Sequence, residues 1–175
     1  MKNNHTSTRI GFTLLELMAS TAMLAALSTA LMVLVQSSYA AWSRHEADHE
    51  TRQAGIAVLR HIVRQARQAT SVVAISGPTD NSGSLSLLTA SGSTIVWDHN
   101  ATTNQVLYGV TTATQVLAND IEELTFLGIR TDGVTTSTDV GLIHSIKATT
   151  TVTLERPAGA TEDAQASCQA WLRAW

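Results

Sequence analysis

The pattern in this chain most suggestive of chemistry is His45-Glu46-Ala47-Asp48-His49. On a helix, a spacing of four places both imidazoles on one face, where they can bind zinc while the glutamate acts as a general base. The pattern lies about ten residues beyond a long apolar run, and no customary spacing supplies a third ligand or a surrounding groove. A membrane zinc protease is therefore a remote alternative and adventitious metal binding is another, while the sequence favours a solvated helix surface with no metal site.

A second candidate site is the acidic turn that contains Asp120, Glu122 and Glu123. Carboxylate oxygens are ligands for calcium, but this spacing matches no calcium-binding loop, so an exposed turn is the favoured interpretation. The chain also lacks a glycine-rich phosphate loop, a nucleophile elbow and a CxxC pair. The sequence therefore predicts no catalytic residue, no cofactor and a protein that is not an enzyme.

One carboxylate occupies an unusual position, because Glu16 is the single charge in the 24-residue stretch Phe12–Val35, which has no Pro or Gly. As a helix this stretch would be roughly 36 Å long, enough to cross a hydrocarbon core of about 30 Å. A carboxylate at mid-bilayer costs about 2.5–3.5 kcal/mol, so Glu16 should seek a positive partner. Hydroxyl residues recur through the stretch, as in helices that contact other helices: Thr13, Ser20, Thr21, Ser28 and Thr29.

The charges on either side of the apolar stretch predict its orientation in a membrane. Lys2 and Arg9 precede it and acidic residues follow it, which favours a cytoplasmic N-terminus and a periplasmic C-terminal domain. The alternative is a secretory signal peptide cut after Ala40, which would release a soluble binding domain that begins at Ala41. Because signal-peptide cores have 7–15 apolar residues and this stretch is longer and charged, a single-pass membrane helix is favoured.

The hexapeptide Gly11-Phe12-Thr13-Leu14-Leu15-Glu16, after a short basic leader and before an apolar run, resembles the signature of type IV pilins and type II secretion pseudopilins. The resemblance implies cleavage between Gly11 and Phe12 by a prepilin peptidase, followed by N-methylation of Phe12. It also implies that Glu16 acts in subunit assembly, through the N-terminal amine of a neighbouring subunit. A positive partner for a carboxylate in lipid is what elementary electrostatics requires.

The helix is expected to continue through residues 36–70 as an amphipathic stem. Ile56, Leu59, Val63 and Ala66 follow helical spacing and predict the stripe that packs on the domain. Four arginines of this segment lie mostly off that stripe: Arg52, Arg60, Arg64 and Arg67. They are interpreted as a solvated face of the helix or, alternatively, as contacts for acidic groups on neighbouring subunits.

Residues 71–175 have the short β-branched runs and turn residues of an antiparallel meander. The best strand is Ile143–Glu155, and the tail from Ala164 is predicted to be another strand, with a short helix as the alternative. Cys168 has no intrachain partner and is expected to be buried, with Trp171 and Trp175 closing the core. The predicted class is thus α+β, with a long N-terminal helix packed on an antiparallel sheet.

The net charge of the domain limits its partners. Residues 1–69 carry seven basic and four acidic side chains, whereas residues 70–175 carry four and ten, which gives the domain a net charge of −6. A nucleic-acid-binding domain should instead carry a basic surface, so nucleic acid is not an expected partner.

The segments 57–69 and 116–126, with the later strand, are similar to J-type minor pseudopilins and PilW-like minor pilins. The chain is accordingly divided into a leader (1–11), an assembly helix (12–35), a stem (36–70) and a β-rich domain (71–175). The resemblance implies a minor pseudopilin of a type II secretion pseudopilus, at its tip or initiation complex; the alternative is a minor pilin of a type IV pilus or competence filament. Implied partners are other pseudopilins, the prepilin peptidase and an inner-membrane platform.

Overall fold

The computed structural model describes residues 13–156 and 159–173, which form two compact units, one ending at His45 and one beginning at Glu46. A single α-helix, α1 (Leu14–Ala66), precedes all the strands, so the α+β class is confirmed. The strands are β1 (Ala69–Ile75), β2 (Ser84–Thr89), β3 (Thr94–Asn100), β4 (Gln105–Val110), β5 (Gln115–Ala118), β6 (Glu123–Ile129), β7 (Ser145–Glu155) and β8 (Thr161–Trp171), with a 3₁₀ turn at Val140–Leu142.

The first five strands form one antiparallel sheet in chain order, as the meander pattern predicts. Strand β3 alternates strictly between buried and half-buried residues, with Ile95, Trp97 and His99 facing the core. This alternation is the period-two pattern of a strand with one face on the core. The tail is also a strand, since β8 pairs with β7 over its whole length.

The last three strands form a separate antiparallel sheet in the order β6-β7-β8. The segment 116–126, which carries part of the resemblance to minor pseudopilins, is therefore divided between the two sheets. A bridge between Ser82 and Leu124 joins them, where Gly83 N–H donates to the Leu124 carbonyl at 2.8 Å. A side chain on Gly83 would meet that same carbonyl at 2.5 Å, so the close approach of the two backbones requires glycine here.

The C-terminal part of α1 packs on the domain through a stripe that is rotated relative to the predicted one. Gly55, Val58 and Ile62 are buried, whereas Ile56 is 39% exposed, so its assignment to the stripe is wrong. Gly55 contributes to this rotation: a Cβ there would lie 3.2 Å from Thr150 Oγ1, closer than an ordinary van der Waals contact, so the lack of a side chain lets the helix approach β7 at this residue. Periodicity among large apolar residues does not reveal a face centred on glycine.

The stem helix ends at Ala66 rather than at Thr70, because a turn at residues 67–68 leads directly into β1. Ala69 is fully buried and opens that strand. The predicted stem and the first strand therefore overlap by two residues.

Of the tryptophans, Trp97 lies in the core and Trp171 does not. Trp97 is fully buried on β3, while Trp171 is 56% exposed, so the prediction that Trp171 closes the core is wrong. On β8 the even-numbered residues face the core and the odd-numbered ones face away, which turns Trp171 outward and Leu172 inward. Trp175 lies outside the described residues.

Candidate functional site

The N-terminal half of α1 has no cover from the described part of its own chain. Every residue from Thr13 to Tyr39 is exposed, and this helix is long and apolar enough to cross a membrane. Glu16 lies in its first turn, where its backbone N–H donates to the carbonyl of Thr13 at 3.1 Å. A negative side chain in the first turn is favoured by the helix dipole, so the position suits a carboxylate. Gly11 and Phe12, the predicted cleavage and methylation sites, lie outside the described residues.

The hydroxyl groups of this helix are satisfied within it. Ser20 Oγ donates to the Glu16 carbonyl at 2.7 Å, and Ser28 and Thr29 each donate to the carbonyl four residues earlier at 2.8 Å. Such bonds remove the need for a partner donor or acceptor in lipid. The hydroxyl pattern is thus compatible with a helix that stands alone in a bilayer as well as with one that contacts other helices.

The residues of the HExxH pattern, 45–49, have different environments and contacts in the structure. His45 and Glu46 are exposed, and His49 accepts a hydrogen bond from the amide of Gln53 at 2.7 Å. Within residues 13–156 and 159–173, no group of three or more His, Cys, Asp or Glu side chains is placed to hold a metal ion. What the pattern does supply is a structural contact through Asp48.

Asp48 forms an ion pair with Arg156, which follows β7, at 2.5 Å. The same guanidinium binds Glu162 of β8 at 2.7 Å, and both hydrogen bonds raise the pKa of Arg156. One arginine thereby ties the stem helix to the β7–β8 connection. This contact was not foreseen from the sequence, because 108 residues separate its two members.

Two carboxylates of the acidic turn accept hydrogen bonds from other parts of the domain. Glu123 accepts from the side-chain amide of Asn81 at 2.5 Å and from the Thr151 hydroxyl at 3.2 Å. Glu122 accepts from the side-chain amide of Asn104 at 3.5 Å. Of these two carboxylates, Glu122 is exposed and Glu123 is half-buried, and both tie the turn to other loops of the domain.

A partly buried cluster of aromatic side chains joins the stem helix to the five-stranded sheet. His61 Nδ1 accepts a hydrogen bond from the Trp97 indole N–H at 3.2 Å, and the His61 ring meets the Tyr108 ring edge to face at a centroid distance of 4.5 Å. Because Nδ1 must be unprotonated to accept, the cluster requires neutral histidine. Burial, and to a lesser extent the positive charge of Arg64, lower the pKa of His61. Sequence reasoning missed this cluster, since 36 residues separate His61 from Trp97.

The domain is therefore expected to lose stability in mild acid. Above about pH 6.5, His61 is neutral in the folded and unfolded states and contributes no pH dependence. As the pH falls below that value, the unfolded chain binds the proton first, so unfolding becomes more favourable by up to about 1.4 kcal/mol per pH unit until the lowered folded pKa is passed. Urea unfolding of the chain in detergent micelles at pH 7.5 and 5.5 measures the loss. The variant His61→Gln keeps a side-chain acceptor without titrating, and an unchanged pH dependence in this variant would contradict the assignment.

Cys168 is half-buried on β8, less enclosed than the sequence suggests, beside the carbonyl of Leu59 on the stem. Burial raises the pKa of its thiol. A raised thiol pKa means less thiolate and hence lower reactivity, in keeping with a packing role.

Comparison of the chain with protein-family models, with curated proteins and with solved structures finds no match. The long N-terminal apolar helix followed by antiparallel sheets is compatible with a pilin-like architecture. The resemblance to pilins thus depends on the hexapeptide at Gly11–Glu16 and on this arrangement.

Proposed function

We propose that this chain is a non-enzymatic structural subunit, a minor pseudopilin of a type II secretion pseudopilus that acts at the tip or in the initiation complex. After cleavage at Gly11 and methylation of Phe12, the subunit is stored in the inner membrane with its domain in the periplasm. It then enters a filament through its N-terminal helix. Other pseudopilins, the prepilin peptidase and the inner-membrane platform are its partners.

The observation that carries the proposal is an apolar helix that holds one carboxylate and is exposed along residues 13–39, with no cover from the described part of its own chain. The exposed large side chains of this helix, such as Leu24 and Leu31, require lipid or other helices around them. A simple anchor gains nothing from Glu16, whereas an assembling helix gains a specific ion pair with a partner amine. The charge thus favours a role in assembly over simple anchoring.

The stem supports the same proposal. Its arginines at positions 52, 60, 64 and 67 are exposed, and none forms an ion pair with another described residue. Single exposed charges contribute little to the stability of a domain. A row of them is therefore available for contacts with other subunits.

Mass spectrometry of the mature N-terminus tests the processing step. We expect the chain from cells that contain the prepilin peptidase to begin at Phe12 with one added methyl group. In cells without the peptidase it should retain residues 1–11. A chain that begins at Ala41 would instead identify a secretory signal peptide and contradict the proposal, as would a chain left uncleaved when the peptidase is present.

A further inference from the structure

Strand β8 is an open edge of the three-stranded sheet. It pairs with β7 from Thr161 to Trp171 in one unbroken register, and no other described backbone segment bonds to its outer side within that range; two residues beyond it, the Arg173 N–H donates to the Ala69 carbonyl at 3.1 Å. Open edges are usually protected by shortness, by proline, by charged side chains or by a bulge. Strand β8 has no proline, lysine or bulge, and its two charged side chains, Glu162 and Asp163, lie together near its first residue.

The register shows which groups of β8 point outward. Leu172 N–H donates to the His144 carbonyl at 3.1 Å, which continues the β7–β8 ladder by one pair. Because bonded and non-bonded pairs alternate in an antiparallel ladder, the even-numbered residues of β8 bond to β7. The odd-numbered residues, such as Gln165 and Ser167, then present their N–H and C=O groups to an incoming strand.

The stem places positive charge directly beside this edge. Arg60, Arg64 and Arg67 line one groove of about 510 Å³ together with Ser167. Apolar side chains form the floor of the groove, and those contributed by β8 are small: Ile56, Leu59 and Val63 from the stem, and Ala166 and Cys168 from β8. A strand added to β8 would therefore lie within reach of three arginines that have no acidic partner among the described residues.

The charges beside the β8 edge indicate which kind of strand could bind there. If two copies paired their β8 edges about a two-fold axis perpendicular to the sheet, their stems would lie on the same side of the sheet and their arginines would face each other. Repulsion between these like charges would oppose such pairing. A strand with acidic side chains at alternate positions would place each carboxylate on the arginine side of the extended sheet. Backbone bonds would supply affinity and the charges would supply selectivity.

We infer that the β8 edge with its flanking arginines is a docking site for an acidic β-strand of a different protein subunit. The inference depends on the proposed assembly function for the identity of that subunit as a filament neighbour. The binding step itself depends only on the domain.

Binding of a peptide to the purified full-length chain in detergent micelles tests this site. The probe is a labelled peptide of alternating threonine and glutamate, about eight residues long, and the matched control replaces each glutamate by lysine. We expect the acidic peptide to bind at least about tenfold more tightly than the basic one, with affinity that falls as salt is added. Equal binding of the two peptides, or no binding at about 1 mM, would overturn the inference.

Two pairs of variants test separately the contribution of the β8 backbone edge and the contribution of the arginine charges. Ser167→Pro removes an outward N–H without removing a bond to β7, whereas Ser167→Ala keeps that N–H, so only the proline variant should lose binding. Arg60→Glu with Arg64→Glu should reverse the preference between peptides, while Arg130→Glu, a single charge reversal outside the groove, should not. In the unaltered chain, the acidic peptide should slow amide exchange at residues 163, 165, 167 and 169. Exchange that stays unchanged at these odd positions would count against the site even if a variant failed to fold.

The same variants in cells distinguish this inference from the proposed function. Ser167→Pro should leave processing at Gly11 normal and reduce recovery of the subunit in assembled filaments, relative to Ser167→Ala. Normal processing with equal recovery of both variants would refute docking at β8 and leave the assembly function standing. A concentration-dependent dimer of the chain that Ser167→Pro abolishes would show that a second copy occupies the edge, and would also refute the inference.

Discussion

Replacement of Glu16 by alanine is expected to leave cleavage after Gly11 intact and to reduce incorporation into filaments by at least about tenfold. A tenfold change corresponds to about 1.4 kcal/mol, which is close to the net contribution of about 1.5–3 kcal/mol of a hydrogen bond to a charged group. Alanine removes the unpaired carboxylate from the stored subunit and the ion pair from the filament. The stored form then gains stability relative to the assembled form.

Two measurements on the same cells check this prediction. Mass spectrometry reports the processed N-terminus, and sedimentation of sheared filaments reports incorporation. Ser20→Ala, one turn further along the same helix, is the matched control, because its hydroxyl bonds only to the carbonyl of Glu16. Normal incorporation of Glu16→Ala would remove the proposed role of the carboxylate, and a failure of cleavage would relocate that role to the peptidase step.

Truncation of Trp97 to alanine is expected to lower the free energy of unfolding of the domain by about 3–5 kcal/mol. Its side chain is fully buried, its N–H donates to His61, and its ring lies 5.7 Å from that of Tyr108. The variant leaves a large cavity and deprives the stem of one of its contacts with the five-stranded sheet. For a domain whose total stability is of the order of 5–15 kcal/mol, this loss is large.

Trp171 supplies the control within the same chain. Because its side chain is more than half exposed, Trp171→Ala should change the free energy of unfolding by no more than about 0.5 kcal/mol. Urea unfolding followed by near-ultraviolet circular dichroism compares both variants with the unaltered chain. Equal losses of unfolding free energy from the two substitutions would mean that burial does not determine how much each tryptophan contributes to stability.

The elements that the sequence predicts well are those with strong local signals. The apolar helix and the long strand ending at Glu155 both follow from patterns spanning a few turns or residues. The errors occur where a local pattern competes with tertiary packing. Ile56 has the right spacing for the core and lies partly outside it, because the helix approaches β7 at Gly55.

Contacts between distant segments could not be derived from the sequence. Asp48 belongs to an apparent zinc-binding pattern, yet the fold uses it to bind Arg156. His61 has no neighbour in sequence that marks it as buried, and only the approach of β3 and β4 places Trp97 and Tyr108 against it. Spacing along a chain reports local geometry, whereas these pairings arise from the closure of long loops.

The sequence by itself determined that one helix can span a membrane, that this helix carries a single charge at Glu16, and that a β-rich acidic domain follows. Composition and periodicity suffice for these properties, because lipid solubility and helical or extended structure depend on neighbouring residues. Only the tertiary structure decided that the sheets are two, that Asp48 is structural, and that β8 is an open edge beside Arg60, Arg64 and Arg67. An edge exists only relative to the strands that pair elsewhere, so no local pattern can reveal it.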